Sequence, residues 1–373
     1  MSDSQQVVQA LPFTIASRVS ERQSFTLPNI ALSTSGITTP AGTPVQIPAV
    51  GYIKTIRVEF SGTVTGASAL TADSPWNLIS NMAFKNASGQ NLIAPLNGYE
   101  WYLMNKYSGM YGGLTSAVGT SSDPKNSRVY SATTTAFRFF LDIPFELDPA
   151  TGLGSLPAMA SNRNYQLELS FNPITAAFTG ATAGTISVDA SVIYWDAPVA
   201  TTPGGVVQQT EPFGLGTISL WQKENPIIAA GEQLTRSNNV GNVIRNLILV
   251  ARTSAGVRTD ADWTGIMELF IDNSPTLRLK KTEWQDAISR WYNYTATALD
   301  ATNGLDTGVF VFPFHLLAGG VVGDPNNSHA QWLATLDATL LQFKGYSWGA
   351  SIGTLAVLTQ AISSPSAQYI YSK

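Results

Sequence analysis

The chain has 373 residues, 44% of them apolar and only 12% charged, so it can fill two hydrophobic cores but has little charge for an exposed surface. With a net charge of −4 and no Lys- or Arg-rich run, it lacks the extended basic surface of a typical nucleic-acid-binding protein. Nucleic acid could bind only through a small local basic patch. The absence of cysteine excludes disulfides, thiolate metal sites and cysteine nucleophiles. We also expect no secretory signal, and no membrane span because no apolar run reaches about 18 residues.

The elements predicted in chain order are almost all strands. Apolar and polar residues alternate within them, and segments rich in Gly, Pro, Asn and Ser separate them. Residues 108–135 form the longest segment without periodicity, which suggests a surface protrusion or a contact arm. In order, we predict an arm at 1–10, strand-like pieces at 11–30 with a turn at Pro28-Asn29, and strands at 52–64, 136–147, 165–171 and 185–195.

One stretch occurs twice and organises the whole chain. Residues 76–107 form an apolar strand, a turn built on Asn86, a short second strand and a tryptophan-bearing helix. Residues 263–292 repeat this order around Asn273. A unit with so many parts rarely occurs twice by chance, so the repeat indicates an internal duplication.

The two predicted helices share their start signals and their apolar faces. A capping box is predicted at Asn97 and Glu100 in the first copy, and at Thr282 and Gln285 in the second. Residues spaced three or four apart form one buried stripe on each helix. The stripes are Trp101, Met104 and Tyr107 in the first helix, and Trp284, Ile288 and Trp291 in the second.

Further matches between the two halves keep the same order, while their offsets shrink from 200 to about 170 because the second half has shorter loops. The matched segments are 12–13 with 212–213, 53–58 with 244–249, 144–147 with 313–316, 167–171 with 339–343, and 184–188 with 353–357.

These patterns predict an all-β chain of two similar domains. Each half holds seven or eight strands and one short helix, and long returns between strands favour a jelly roll over a meander. We predict a first eight-stranded jelly-roll β-sandwich at residues 11–196, a linker rich in Pro and Gly at 197–210, and a second jelly roll at 211–373.

Two tandem jelly rolls with an aromatic helix in each resemble the double jelly-roll major capsid proteins of tectivirus-like viruses, in the tectivirus–adenovirus lineage. The resemblance covers roughly residues 11–371 and depends on repeat order, not on a short diagnostic motif. It implies a non-enzymatic homotrimer that forms a pseudo-hexameric tile of an icosahedral virion, assembled in the host cytoplasm. It also implies contacts with neighbouring capsomers and minor capsid or penton proteins, and leaves open an internal lipid membrane.

The resemblance also bears on the outer surface and on contacts between subunits. Members of the family often carry large outer insertions, whereas this chain offers only residues 108–135, so we expect a low and flat outer surface. The expected contact elements are the arm, the linker, the two helices and this loop. Low charge suits such a subunit because it limits repulsion between many identical copies.

Few residues offer competing chemistry. His315 and His329 do not form the histidine cluster of a cupin-like metal site. Asp260 with Asp262, and Asp142 with Glu146, are paired acids of the kind found in glycosidases or calcium sites, although solvated loop acids are far commoner. We therefore predict no catalytic, cofactor-binding or metal-binding residue, and leave open a structural cation between subunits.

Other residues could serve binding instead. Arg278, Lys280 and Lys281 form the densest basic cluster, which could meet lipid head groups or genome but more often lies on a solvated or intersubunit face. The tryptophans could be sugar platforms, although their recurrence at equivalent helix positions favours core packing. Two alternative functions follow: a carbohydrate-binding or adhesin-type double β-sandwich, and a jelly-roll amidase.

Overall fold

The structure is a computed structural model that describes residues 10–71, 73–108, 122–123, 128–129, 136–159, 164–260, 263, 265–292, 306–314, 332–350 and 352–363. Most of the predicted arm, much of the 108–135 loop, Asp262, His315, His329 and the side chain of Trp291 lie outside the described residues.

The first lobe contains helices α1 (Phe13–Ala16) and α2 (Gly98–Tyr107) and thirteen described strands. These are β1 (Val19–Leu32), β2 (Val45–Gln46), β3 (Tyr52–Thr65), β4 (Ala69–Leu70), β5 (Ile79–Lys85), β6 (Asn91–Leu96), β7 (Ser122–Asp123), β8 (Arg128–Val129), β9 (Ala136–Pro144), β10 (Leu156–Pro157), β11 (Gln166–Phe171), β12 (Phe178–Thr179) and β13 (Ala183–Trp195).

The second lobe contains helix α3 (Lys281–Tyr292) and nine described strands. These are β14 (Ile218–Glu224), β15 (Gly231–Ser237), β16 (Val243–Thr253), β17 (Ile266–Ile271), β18 (Ser274–Lys280), β19 (Val309–Pro313), β20 (Leu333–Ala334), β21 (Leu341–Trp348) and β22 (Ile352–Ser363). None of the helices in the described part of the chain has the length and apolar character of a membrane span.

Eight principal strands in each lobe follow one topology. The first lobe pairs them as β1-β13-β3-β9 and β2-β11-β5-β6, and the second as β14-β22-β16-β19 and β15-β21-β17-β18. Numbered one to eight in chain order within each lobe, the principal strands form one sheet in the order 1-8-3-6 and a second sheet in the order 2-7-4-5. This is the order of a jelly roll, so the prediction of two eight-stranded jelly rolls, each with a short helix, is confirmed.

Strand β3 shows why the sequence folds this way. Ile56, Val58 and Phe60 are fully buried between the two sheets of the first lobe, while Arg57 and Glu59 point to the other face. Side chains alternate between the faces of a strand, so the alternating sequence assigns one face to the core and one to the outside.

Two local predictions are wrong. The predicted turn at Pro28-Asn29 is an irregularity inside β1, where pairing with β13 shifts between Leu27 and Ile30. Asn29 takes a left-handed φ of 51°, and its N–H donates to the hydroxyl of Ser187 at 2.9 Å. Proline is tolerated there because β1 lies at the edge of its sheet and needs no donor on its outer side.

The second wrong prediction concerns the start of α3. The helix begins at Lys281, so Thr282 lies inside its first turn and not at the cap. Counted from the helix start, Glu283 then occupies the place that Glu100 has in α2.

The two lobes share one sheet and one core. Strand β6 of the first lobe pairs in parallel with β14 of the second at Ile93 and Trp221, which joins two four-stranded sheets into one larger sheet. One continuous cluster of buried apolar side chains extends from the first lobe into the second. The sequence repeat did not predict this junction.

Candidate assembly interface

Helix α2 lies between the two lobes, and all ten of its residues are buried. Its start has the predicted capping box: the Glu100 N–H donates to the Asn97 side chain, and the Asn97 N–H donates to the Glu100 carboxylate, each at 2.9 Å. A Cβ on Gly98 would lie 1.9 Å from the carbonyl oxygen of Trp76, so only glycine allows this close approach. The helix is thus fixed against the turn that precedes β5.

Aromatic side chains of α2 connect both lobes. The indole N–H of Trp101 donates to the carbonyl of Met82 in β5 at 2.9 Å, and its ring centre lies 4.9 Å from that of Trp221 in β14. Tyr102 stacks on Trp76 at 3.8 Å between ring centres. These rings are fully buried, so they contribute apolar area to a core that belongs to neither lobe alone.

Charged groups at the lobe boundary are paired across it. The Lys106 ammonium donates to both carboxylate oxygens of Asp306 at 2.7 and 2.6 Å, and the Tyr107 hydroxyl donates to the same carboxylate at 2.7 Å. Glu100 pairs with Lys223 of β14 at 2.6 Å. A buried charge is tolerated only when it is paired and hydrogen-bonded, and here each partner comes from the opposite lobe.

Asp73 is the centre of a second ionic group. Its two carboxylate oxygens lie 2.6 Å from Arg252 and 2.7 Å from Arg258 of the second lobe. The Arg258 guanidinium lies 4.4 Å from the ring centre of Tyr99 in α2, at cation–π distance. Burial alone would raise the pKa of Asp73, but Arg258 and Arg252 reverse the effect and lower it. Burial raises the pKa of the Tyr99 hydroxyl well above its usual value.

Strand β16 shows the same boundary from the second lobe. All nine residues from Val243 to Ala251 are buried, because one face of the strand meets its own core and the other meets the first lobe. Asn246, on the face toward the first lobe, donates from its amide to the Tyr107 carbonyl at 3.1 Å. In the matched strand β3, buried and more exposed side chains alternate from Ile56 to Phe60. The continuous apolar run Leu247–Ala251 in β16, at a place where the matched strand β3 alternates, is typical of a strand buried on both faces. This sequence signal could have revealed the lobe boundary.

The acids considered for catalysis lie in structural pairs. Asp142 accepts from Arg57 at 3.0 Å, and burial raises its pKa while Arg57 opposes the rise. Glu146 pairs with Lys54 at 3.0 Å and accepts the Trp195 indole N–H at 2.6 Å. The structure therefore accounts for both carboxylates without a substrate.

The remaining candidates within the described residues also have protein partners. Burial raises the pKa of Asp260, whose carboxylate accepts the Gly308 N–H at 2.7 Å. Lys281 donates to the Asp260 carbonyl, Arg278 lies 3.3 Å from Glu268, and Lys280 lies 3.7 Å from Glu283. No group of three or more potential metal ligands occurs among the residues that the structure describes.

The tryptophans of the repeat pack inside the protein. Trp76, Trp101, Trp263 and Trp284 are each at most 2% exposed. Trp263 and Trp284 pack together at 5.8 Å between ring centres, and the Trp284 indole donates to the Val311 carbonyl. They are core residues, as the recurrence of the helix positions predicted.

Solved structures with the same fold come from viral capsids. One chain of the Sulfolobus Turreted Icosahedral Virus structure aligns over 93% of this chain and 91% of its own, with 13% identity and a TM-score of 0.62. The major capsid protein P2 of Bacteriophage PM2 aligns over 94% and 99%, with 11% identity and a TM-score of 0.52. The Faustovirus major capsid protein aligns over 97% and 92%, with 9% identity and a TM-score of 0.54.

The chain has the double jelly-roll fold of these capsid proteins. Each alignment covers at least nine-tenths of both chains, so the likeness includes the arrangement of the two lobes and not one sandwich alone. By sequence, neither a protein-family model nor a curated protein matches the chain. The identities of 9 to 13% show that the fold is shared while most side chains differ.

The shared core leads to a prediction for Trp101→Ala. Losing this buried ring should cost about 3–5 kcal/mol of unfolding free energy and shift one common heat-absorption peak in calorimetry. Val257→Ala, at a side chain that is 55% exposed, is the control and should change stability by less than about 0.5 kcal/mol. Two separate peaks, with only one moved by Trp101→Ala, would show that the lobes do not share a core.

Asp73→Asn should destabilise the protein in a pH-dependent way. It removes the carboxylate facing the buried Arg258 guanidinium, which we expect to cost about 3–5 kcal/mol at neutral pH. Because the folded-state pKa of Asp73 is lowered, its stabilisation is present above the unfolded pKa of about 3.9 and is lost as the pH falls through the folded value.

Urea unfolding from neutral to acid pH measures this difference. The gap between wild type and Asp73→Asn should narrow below about pH 4. Asp196→Asn breaks an exposed pair with Arg18 and is the matched control, with an expected cost of at most about 1 kcal/mol. A gap that stays constant across this pH range would contradict the role given to Asp73.

Proposed function

We propose that this protein is a major capsid protein, a structural subunit whose trimers form the pseudo-hexameric tiles of an icosahedral virion shell. The observation that carries the proposal is the strand-for-strand repetition of one jelly roll within a chain whose lobes are joined head to tail. The similar structures supply the class, since they are a virion structure and the major capsid proteins of Bacteriophage PM2 and Faustovirus.

The head-to-tail junction explains why such a chain forms rings. The first lobe contributes β6 and α2 to the junction, while the second contributes β14 and β16, so the contacting surfaces differ. Contacts between two different surfaces generate closed rings when the rotation closes, and three chains of two lobes give a ring of six sandwiches. Such a ring tiles a surface in a nearly hexagonal pattern.

In this proposal the two jelly rolls at residues 11–196 and 211–373 are the building blocks, and residues 197–210 are the linker. The linker runs beside the start of the chain: the Leu11 N–H donates to the Val207 carbonyl at 3.1 Å, and the Gln209 N–H donates to the Leu11 carbonyl at 2.9 Å. Exposed apolar side chains gather on these two segments, at Ile15, Val199 and Val207. In the proposal this end faces the shell interior.

The role is structural and not enzymatic, with no catalytic, cofactor-binding or metal-binding residue. Support comes from the pairing of Asp142 and Glu146 with basic side chains. The partners are neighbouring capsomers and minor capsid or penton proteins, and the proposal leaves open an internal lipid membrane at the inward end. The protein does not bind nucleic acid sequence-specifically, is assembled in the host cytoplasm and resides in the virion.

The carbohydrate-binding alternative requires an exposed aromatic groove. Among the described residues, the large apolar side chains that are exposed belong to Ile, Val, Leu and Met, and the aromatic rings are buried or half-buried. This distribution favours the capsid role, because sugar platforms need accessible ring faces.

The test is the mass of the purified protein and its appearance. Light scattering at micromolar concentration should give three times the 39.9 kDa chain mass, and negative-stain electron micrographs should show particles with a pseudo-hexagonal outline. Higher protein concentration should drive association of these particles. A stable monomer throughout the concentration range would contradict the capsid role.

A further inference from the structure

The surface of α3 indicates where a second copy binds, an inference that depends on the proposed trimer. Helices α2 and α3 begin at Gly98 and Lys281, so each residue of α2 has a counterpart 183 positions later in α3. Tyr99, Glu100 and Leu103 of α2 are buried on one face of the helix, where Tyr99 lies beside Arg258 and Glu100 pairs with Lys223 of the second lobe. Their counterparts in α3 are all exposed: Thr282, Glu283 and Asp286.

The strand edges show the same relation. In the first lobe, the outer edge of β6 pairs with β14 of the second lobe. In the second lobe, β18 holds the place of β6 and ends its sheet, and in the first lobe β1 holds the place of β14 and ends its sheet. Within the described part of the chain, each molecule therefore has one open edge at β18, equivalent to that of β6, and one open edge at β1, equivalent to that of β14.

The sheet faces differ in chemistry. Ile248 and Val250 of β16 are at most 2% exposed because the first lobe covers them. Their counterparts in β3, 191 positions earlier, are Arg57 and Glu59, which are exposed and half-exposed. Likewise Leu358 of β22 is fully buried, while its counterpart Asp189 in β13, 169 positions earlier, is half-exposed.

We propose that β18 and α3 of one copy dock on β1 and on the outer face of the β1-β13-β3-β9 sheet of a second copy, as a polar version of the interface between the lobes. The interface between the lobes, in which buried ion pairs are surrounded by apolar side chains, forms once, during folding, and holds the lobes together. The polar surface remains hydrated before a second copy binds. Folded monomers therefore stay soluble and associate through charged and hydroxyl side chains.

The chain contains no cysteine, so engineered disulfides can test this contact directly. Ile93 pairs with Trp221 across the lobes, and the 183-residue offset of the helices that follow β6 and β18 makes Thr276 the counterpart of Ile93. Trp221 pairs with Gln360, whose counterpart Ser191 pairs with Gln23 of β1. The proposal therefore places Thr276 of one copy beside Gln23 of the next, at about the 4.8 Å separation of paired strands, which a disulfide can bridge.

The double variant Gln23→Cys/Thr276→Cys should form covalent dimers and trimers under mild oxidation, and the ladder on a non-reducing gel should end at the trimer. Each single variant and the pair Ser88→Cys/Thr276→Cys, which joins two exposed turn and strand positions, are controls that should give no trimer band. A trimer by light scattering without the predicted crosslink would overturn this docking mode and leave the capsid role intact. A monomer in both measurements would overturn both.

Charge provides a second measurement on the same surface. Glu283→Lys/Asp286→Lys should weaken the trimer about tenfold or more, and the wild-type trimer should dissociate more readily as salt rises from about 0.05 to 1 M. The matched control Glu211→Lys/Glu232→Lys makes the same charge change at two other exposed acids and should leave more trimer intact. Equal trimer populations in the two variants, or a trimer indifferent to salt, would overturn the polar interface.

Discussion

The burial of α2 between two sandwiches is the constraint on which the rest of the structure depends. A helix buried on every side must satisfy each polar group inside the protein, since water cannot reach it. The capping box at Asn97, the Trp101 bond to the Met82 carbonyl and the Lys106 pair with Asp306 meet this requirement. The last of these partners, Asp306, comes from the second lobe, so the helix is not fully satisfied by the first lobe alone.

This constraint explains how a duplicated sequence became asymmetric. Both halves keep the eight-stranded order, because that order is required to close a sandwich over its core. The outer faces diverged: β16 places the buried, apolar Ile248 and Val250 toward the first lobe, whereas β3 places Arg57 and Glu59 on the matching face. An interface made once within a chain can be apolar, but a surface that waits for a separate copy must remain soluble.

The few charged residues of the chain are often placed where they can form pairs. Many of its charged side chains are used in pairs inside the molecule, as at Asp73 with Arg252 and Arg258 and at Glu146 with Lys54. These pairs fix how the two lobes are oriented at their boundary and how strand ends are positioned. A different arrangement would leave a buried charge without a partner. The exposed charges that remain on α3 and β3 then lie where subunits meet in the proposed trimer.

Local sequence signals were enough to predict the repeat, the jelly-roll strands and short helix of each half, the capping box of α2 and the core role of Trp101, because periodicity and helix-end signals depend on neighbouring residues. The three-dimensional fold was needed to show that β6 pairs with β14, that Asp73 and Asp306 meet basic partners from the opposite lobe, and that Pro28-Asn29 lies within a strand. Those features depend on residues far apart in the chain, and a single sequence carries no measure of the distance between them.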